Sequence, residues 1–298
     1  MFSTFAKGKL MLTGEYVVLD GALSLAVPVK FGQHLKVETV STGGKLQWTS
    51  RDKDGNCWFS AEFSLVDFTI IQTSDYLVAE RLYQLLNACR GLNPDFCRTE
   101  EGYLLEMKAN FPLNWGIGSS STLIAALAKW ADINSFQLSA LTFGGSGYDL
   151  ACAYSPGPII YQIDPKLPAG LREKINTVPF DPPFKDELFF YYLGNKQDSR
   201  EGIKHYKSLD IENRSWLVDQ ITQITNEVLL SSNLSSFEDL LLEHERLISS
   251  VLGIQRAQDL YFPNFKGVIK SLGAWGGDFV LSTRPINEGG IPYSEMVY

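Results

Sequence analysis

Two glycines and three serines stand directly before an apolar run in PLNWGIGSSSTLIAALAKW, Pro112 to Trp130. These types at this spacing suit the holding of an anion. Gly116 and Gly118 let the backbone approach a ligand with no Cβ in the way. Ser119, Ser120 and Ser121 add hydroxyl donors. The run from Thr122 reads as a helix anchored by Leu123, Ile124 and Leu127. The first turn of such a helix leaves backbone N–H groups unpaired at the positive end of its dipole. Phosphate is the usual guest of that arrangement. A strand-to-helix turn with serine caps remains the other reading of these residues. Two better-known phosphate loops are excluded. No Lys follows the second glycine, as a P-loop requires, and the third glycine of a dinucleotide fingerprint is replaced by Ser121.

Three further segments carry chemistry-bearing residues. GKLMLTGEYVV places Lys9 upstream of a Gly-Glu-Tyr turn with Glu15 and Tyr16. GGSGYDLACA sets Asp149 among small residues, and KSLGAWGGDF makes a second glycine-rich turn with Gly273, Gly276 and Gly277. Taken singly, they read as well as a surface lysine, a turn carboxylate and a tight helix-to-strand turn.

The elements that must position these residues are mixed. Strands are expected at Leu10–Thr13, Leu23–Val27, His34–Thr39, Lys45–Thr49, Trp58–Glu62 and Tyr103–Ala109, where β-rich runs alternate with Gly, Asp and Ser. A first helix is expected over Asp75–Cys89 with Ser74 as its cap. Helices should open at Ser119, near Gln137 and near Ser146, followed by a strand at Pro158–Gln162. Ile163–Gly170, rich in turn formers, marks a boundary between domains 1–165 and 166–298. Beyond it come a strand at Leu188–Leu193 and helices over Trp216–Leu230 and Glu238–Leu252. The latter is opened by a capping box at Ser235–Glu238. A short helix near Phe265–Ser271 then leads to a strand at Gly276–Leu281. Without regular βα alternation the fold class is α+β.

The chain has 298 residues, 45% hydrophobic and 20% charged, with a formal charge of −8. That is an ordinary globular composition. No basic stripe favours nucleic acid. None of Cys57, Cys89, Cys97 and Cys152 forms a CxxC pair, so reduced, mostly buried thiols are expected. No apolar run approaches the ~18 residues of a membrane span. The start, MFSTFAKGKLMLTGEY, is broken by Lys9 and Gly14 and does not read as a signal peptide. The expectation is a cytoplasmic protein with no membrane partner, monomer or homodimer. His34, His205 and His244 fall in no motif and read as packing or surface residues.

In order and spacing, the motif segments resemble the GHMP kinases, the superfamily of galactokinase, homoserine kinase, mevalonate kinase and phosphomevalonate kinase. AKGKLMLTGEYVV is similar to the family's first motif, PLNWGIGSSS to its second and GAWGGD to its third. The resemblance runs from Gly8 to Phe279. It implies an N-terminal domain like ribosomal protein S5 domain 2, followed by a ferredoxin-like C-terminal domain. It also implies an ATP- and Mg²⁺-dependent kinase acting on a small-molecule acceptor. Details such as GEY, GGD and DLAC lean toward mevalonate or phosphomevalonate, hence isoprenoid precursor synthesis. An ATP-dependent decarboxylase of the same superfamily and a non-catalytic nucleotide-binding homologue are the alternatives.

Carried over position by position, the loop Pro112, Gly116, Ile117, Gly118, Ser119, Ser120 and Ser121 holds the nucleotide phosphates, and Ser120 ligates the metal. Gly273, Gly276 and Gly277 bring backbone close to nucleotide or substrate. Asp149 receives or orients the acceptor's hydroxyl proton. Lys9 keeps it ionised and stabilises the moving phosphoryl group. Glu15, Tyr16 and Ser199 shape the acceptor pocket, with Lys196 and Arg200 as anion contacts. One departure stands out: the only acidic residue between Ser121 and Tyr148 is Asp132, about 18 Å along a helix from Ser120, too far to share its metal.

Overall fold

A computed structural model describes the chain except residues 42, 100, 195–198, 274, 276 and 277, and the side chains of 199–201. The chain forms two compact units, neither continuous in sequence. One comprises Met1–Gly8, Phe31–Leu113 and Gly118–Tyr154; the other Lys9–Lys30, Asn114–Ile117 and Ser155–Tyr298.

The first unit is a sheet with helices on one face. Its strands come from β1 (Phe2–Thr13), β2 (Ser24–Val40), β3 (Lys45–Arg51), β4 (Cys57–Ser64), β5 (Ile70–Thr73) and β6 (Gly102–Ala109). Within it the order is β5-β4-β3-β6-β2, with β1 beside β2. β3 and β6 run parallel, and the other registered pairs are antiparallel. Strict alternation decides which face is buried: Leu46, Trp48 and Ser50 of β3 point inward between exposed or half-exposed neighbours. On that face lie α1 (Tyr76–Leu92), α2 (Ser119–Ala131), α3 (Ser135–Thr142) and α4 (Tyr148–Ala153). Leu82, Leu85, Leu86 and Cys89 form the apolar stripe of α1, and Ile124 and Leu127 that of α2. They meet Leu35, Trp48, Phe59 and Phe63 of the sheet in one core.

The second unit pairs the early part of β2 with β7 (Ile159–Ile163), and β7 with β8 (Glu173–Thr177). Its other sheet is antiparallel, in the order β10-β11-β9-β12, from β9 (Phe189–Tyr192), β10 (Ile269–Leu272), β11 (Phe279–Ser282) and β12 (Ile291–Pro292). The helices are α5 (Ser199–Ser208), α6 (Ile211–Leu229), α7 (Leu234–Leu252), α8 (Ala257–Tyr261) and α9 (Tyr293–Met296). α6 packs on α7, and α7 on β10. The class is α+β, as the mixture of elements implies.

Several boundaries differ from expectation for identifiable reasons. Asp75, not Ser74, caps α1: its carboxylate accepts from the amides of Leu77 and Val78, while Ser74 Oγ is bonded to Ser60. Asn233 caps α7, so Ser235 lies inside the helix and the expected capping box does not form. No helix forms over 265–271. Ile269–Leu272 is buried on both faces as β10, and a short apolar run does not distinguish such a strand from a helix. Cys89, Cys97 and Cys152 are buried, as thiols usually are, but Cys57 is exposed.

Candidate functional site

In the first unit, α2 begins at Gly118, whose φ of 98° places it in the left-handed region. No side chain caps this end. The hydroxyl of Ser121 donates to Gly118 O at 2.9 Å, and that of Thr122 donates to Gln33 Oε1 at 2.7 Å. These two hydroxyls secure the loop. Ser119 and Ser120 make no side-chain hydrogen bond among the described residues, and Ser120 is exposed. The helix start therefore presents unspent amides and hydroxyls, which is what an anion requires.

α4 packs against α2 and starts in the same way. Gly147 caps it at φ 91°, again with no side-chain cap. Asp149 lies in its first turn, where Oδ1 accepts from Leu150 N at 3.2 Å. The unit thus brings the serines and Asp149 to the opening turns of two packed helices. Asp132 is the C-cap of α2, at the far end from Ser120. Pro112 belongs to this unit, just before the chain crosses into the other. Lys7, two residues before Lys9, also belongs to this unit. Burial pulls its ammonium below the usual lysine range, opposed by nearby Cys152 of α4.

In the second unit three motif segments meet. The Lys9 amide donates to Ile117 O at 3.0 Å, tying the first motif to the second. Gly116, at φ 70°, lies under the carboxylate of Asp278: a Cβ there would be 2.4 Å from Asp278 Cγ. The same carboxylate lies close to Gly273, where a Cβ would be 3.2 Å from Oδ2. Asp278 is itself buried and at positive φ, 40°. Trp115 packs edge-on against Phe279 at 5.2 Å and near Tyr192 at 6.4 Å, and Tyr192 donates its hydroxyl proton to Asn114 O.

Glu15 and Tyr16 occupy a fully packed place. Glu15 is 3% exposed and accepts from Lys270 Nζ at 2.7 Å. Lys270 also reaches Ser271 O at 2.8 Å and Glu245 Oε1 at 3.4 Å, and Ser271 Oγ donates to Glu245 Oε2 at 3.1 Å. His244 Nε2 accepts from Gly14 N at 3.0 Å, so the ring proton sits on Nδ1. Nε2 is 3.3 Å from Glu15 Oε2, but burial, aided by Lys270, holds the imidazole far below its usual range. The contact is therefore not an ion pair. Burial raises Glu15 against the pull of Lys270, and raises Glu245 to about 7. Sequence reasoning missed Lys270, His244 and Glu245. The adjacency of Lys270 to the second glycine turn was the only local signal.

Tyr16 is buried, and its hydroxyl accepts from Trp275 N at 3.2 Å. Burial raises its phenol above the ordinary value. α5 is moored to the same region. The Tyr206 hydroxyl donates to Asp20 Oδ2 at 2.8 Å, and Arg214 Nη1 reaches the same oxygen at 2.8 Å. Lys196, Gly276 and Gly277, and the side chains of Ser199 and Arg200, lie outside the described residues.

Among the described residues, no group of three or more His, Cys, Asp or Glu could hold a metal ion, and no helix is long and apolar enough to cross a membrane.

No family model and no curated protein matches the chain. Solved structures do. The chain is similar to the Lin0012 protein from Listeria innocua, with a TM-score of 0.72, 16% identity, and coverage of 96% of this chain and 91% of that one. A Streptococcus pneumoniae phosphomevalonate kinase in complex with phosphomevalonate and AMPPNP matches with a TM-score of 0.66 and 15% identity, over 95% and 92% of the two chains. L. major mevalonate kinase in complex with R-mevalonate matches with a TM-score of 0.65 and 15% identity, over 97% and 88%. The chain has the fold of the GHMP kinases.

Proposed function

We propose that the protein is an ATP-dependent kinase of the GHMP type that phosphorylates a small acceptor, mevalonate or phosphomevalonate. The observation that carries this reading is the start of α2: glycine-led, uncapped by any side chain, and packed against the helix that bears Asp149. The fold supports it, and so does the order of the motifs along the chain.

The residues fit a triphosphate. The amides after Gly118 and the hydroxyls of Ser119 and Ser120 bind its phosphates, and Pro112, Gly116, Ile117 and Ser121 shape the loop. The fit to Mg²⁺ is narrower. Ser120 offers one exposed hydroxyl, and no acidic cluster stands ready among the described residues. Such an ion takes its other ligands from phosphates and water. When bound, it offsets phosphate charge. Asp149 accepts or orients the acceptor's hydroxyl proton, and Lys9 stabilises charge on the transferred group. Gly273, Gly276 and Gly277 bring backbone to the nucleotide or acceptor, Glu15 and Tyr16 shape the acceptor side, and Ser199, Lys196 and Arg200 contact it. Domains 1–165 and 166–298, a cytoplasmic location and a monomeric or homodimeric state belong to the same proposal.

ADP release is the test, with MgATP and mevalonate, phosphomevalonate, homoserine or galactose in turn. Turnover with one of the first two is expected. Carbon dioxide release would move the assignment to the decarboxylases. Nucleotide binding without turnover on any acceptor would indicate a non-catalytic homologue.

A further inference from the structure

Tyr16 is the central residue of a γ-turn of the strained hand. Its φ is 63° and ψ −46°, and Val17 N donates to Glu15 O at 2.7 Å. An L residue rarely adopts this turn, because at positive φ its Cβ crowds the backbone. Strain of this kind persists only where the surroundings over-determine it. The surroundings are explicit here. On one side the Glu15 carboxylate is held by Lys270. On the other, the Tyr16 hydroxyl accepts from Trp275 N, and the ring lies against Gly202, where a Cβ would be 2.5 Å from the hydroxyl oxygen.

Lys270 is wholly buried and spends its three donors on Glu15, Glu245 and the Ser271 carbonyl. A buried ion pair is weak evidence for stability, since an apolar side chain often fills such a space as well. What the ammonium adds is direction. It joins the turn after β1, the strand β10 that precedes Trp275, and the helix α7. Gly14 N, bonded to His244 on α7, pins the same turn from a second side.

We infer that Lys270 is a positioning residue: it holds the strained turn at Tyr16 in register with the chain at Trp275, so that the Tyr16 hydroxyl meets the Trp275 amide. For its catalytic consequence the inference rests on the kinase reading above. Without the ammonium, Glu15 takes up a proton, the turn relaxes to an ordinary conformation, and the hydroxyl leaves Trp275. Acceptor binding then suffers while the reacting groups are untouched. An effect of this kind raises KM, here about tenfold, and leaves kcat within about a factor of two.

Fluorine NMR of protein labelled with 5-fluorotryptophan tests this directly. The Trp275 signal is assigned by its loss in Trp275→Phe. In Lys270→Met it should move by more than its linewidth, while the Trp48 and Trp130 signals of the other unit stay in place. A Trp275 signal unmoved in folded Lys270→Met overturns the inference, even if the melting temperature falls, because a merely structural lysine does only that. If Lys270→Met does not fold, the isosteric Glu15→Gln carries the test. Movement supports the inference, and no movement overturns it. Absence of turnover by the wild type on every acceptor sinks the kinase reading alone, since the fluorine shift decides the positioning role without it.

Discussion

The Asp278 carboxylate covers Gly116 so closely that a methyl group on Gly116 would stand 2.4 Å from Asp278 Cγ. Gly116 also needs its φ of 70°. Gly116→Ala therefore meets two penalties, while Gly144→Ala meets one: Gly144 has a φ of 73° but nothing within 4 Å of its added Cβ. The backbone penalty alone is about 1–2 kcal/mol. Chemical denaturation should show Gly116→Ala as clearly the more costly substitution, and calorimetry should show weaker ADP binding for it only. Equal costs would mean that Asp278 does not occupy that space.

Asp149 separates chemistry from stability. Among the described residues its carboxylate makes a single weak local hydrogen bond, to the amide of its own neighbour. Asp149→Asn should therefore change unfolding free energy by no more than about 1 kcal/mol, the scale of a carboxylate's interaction with the dipole in a helix's first turn. If the carboxylate handles the acceptor proton, ADP release should fall roughly 10²–10⁴-fold. A folded variant with wild-type turnover would remove Asp149 from the mechanism.

The motifs were legible because each is local. Two glycines, three serines and a following apolar run already specify a helix start, and Gly118 and Ser119 stand where that reading puts them. The strand-first order was legible for the same reason. What escaped notice depends on distant partners. Glu15 and Lys270 are 255 positions apart, and neither residue type announces a buried pair. His244 looked ordinary because its role is fixed by Gly14, on an element 230 positions away. β1 and β2 are much longer than the runs that suggested them, since pairing with neighbours carries a strand through residues of poor local preference. The caps of α1 and α7 shifted by a residue or two because several good capping residues stood side by side, and tertiary bonds chose among them.

The mooring of α5 gives a stability prediction. Tyr206 is fully buried, and its hydroxyl donates to a carboxylate oxygen that Arg214 also holds. Tyr206→Phe keeps the ring and deletes the bond. Hydrogen bonds to charged groups contribute about 1.5–3 kcal/mol, and the partial exposure of Asp20 puts this one toward the lower end. Urea unfolding should show a lower midpoint with an unchanged slope, which marks a change in stability and not in the extent of the folded state. A midpoint that stays in place would show that the contact is not formed in solution.

Glu245 makes stability depend on pH, with a sign that differs from that of a salt-bridged surface acid. Burial, only partly offset by Lys270, raises its carboxyl from 4.5 to about 7 in the folded protein. Between those values the folded state binds a proton that the unfolded chain has lost. Stability from this group is therefore fully present below pH 4.5 and falls as pH rises through about 7. The span corresponds to roughly 3 kcal/mol at the usual conversion. Burial acts on His244 in the opposite sense, since a ring kept neutral costs stability as pH falls below 6.5. Glu15, raised in the same direction as Glu245, adds to the fall. A difference measurement isolates Glu245: the unfolding free energy of Glu245→Gln minus that of wild type, followed from pH 5 to 8. Glutamine has no proton to lose, so the variant should gain on the wild type as pH rises, with most of the gain complete by about pH 8. A difference that stays flat across this range would mean that Glu245 is already ionised at pH 5, with Lys270 outweighing the cost of burial.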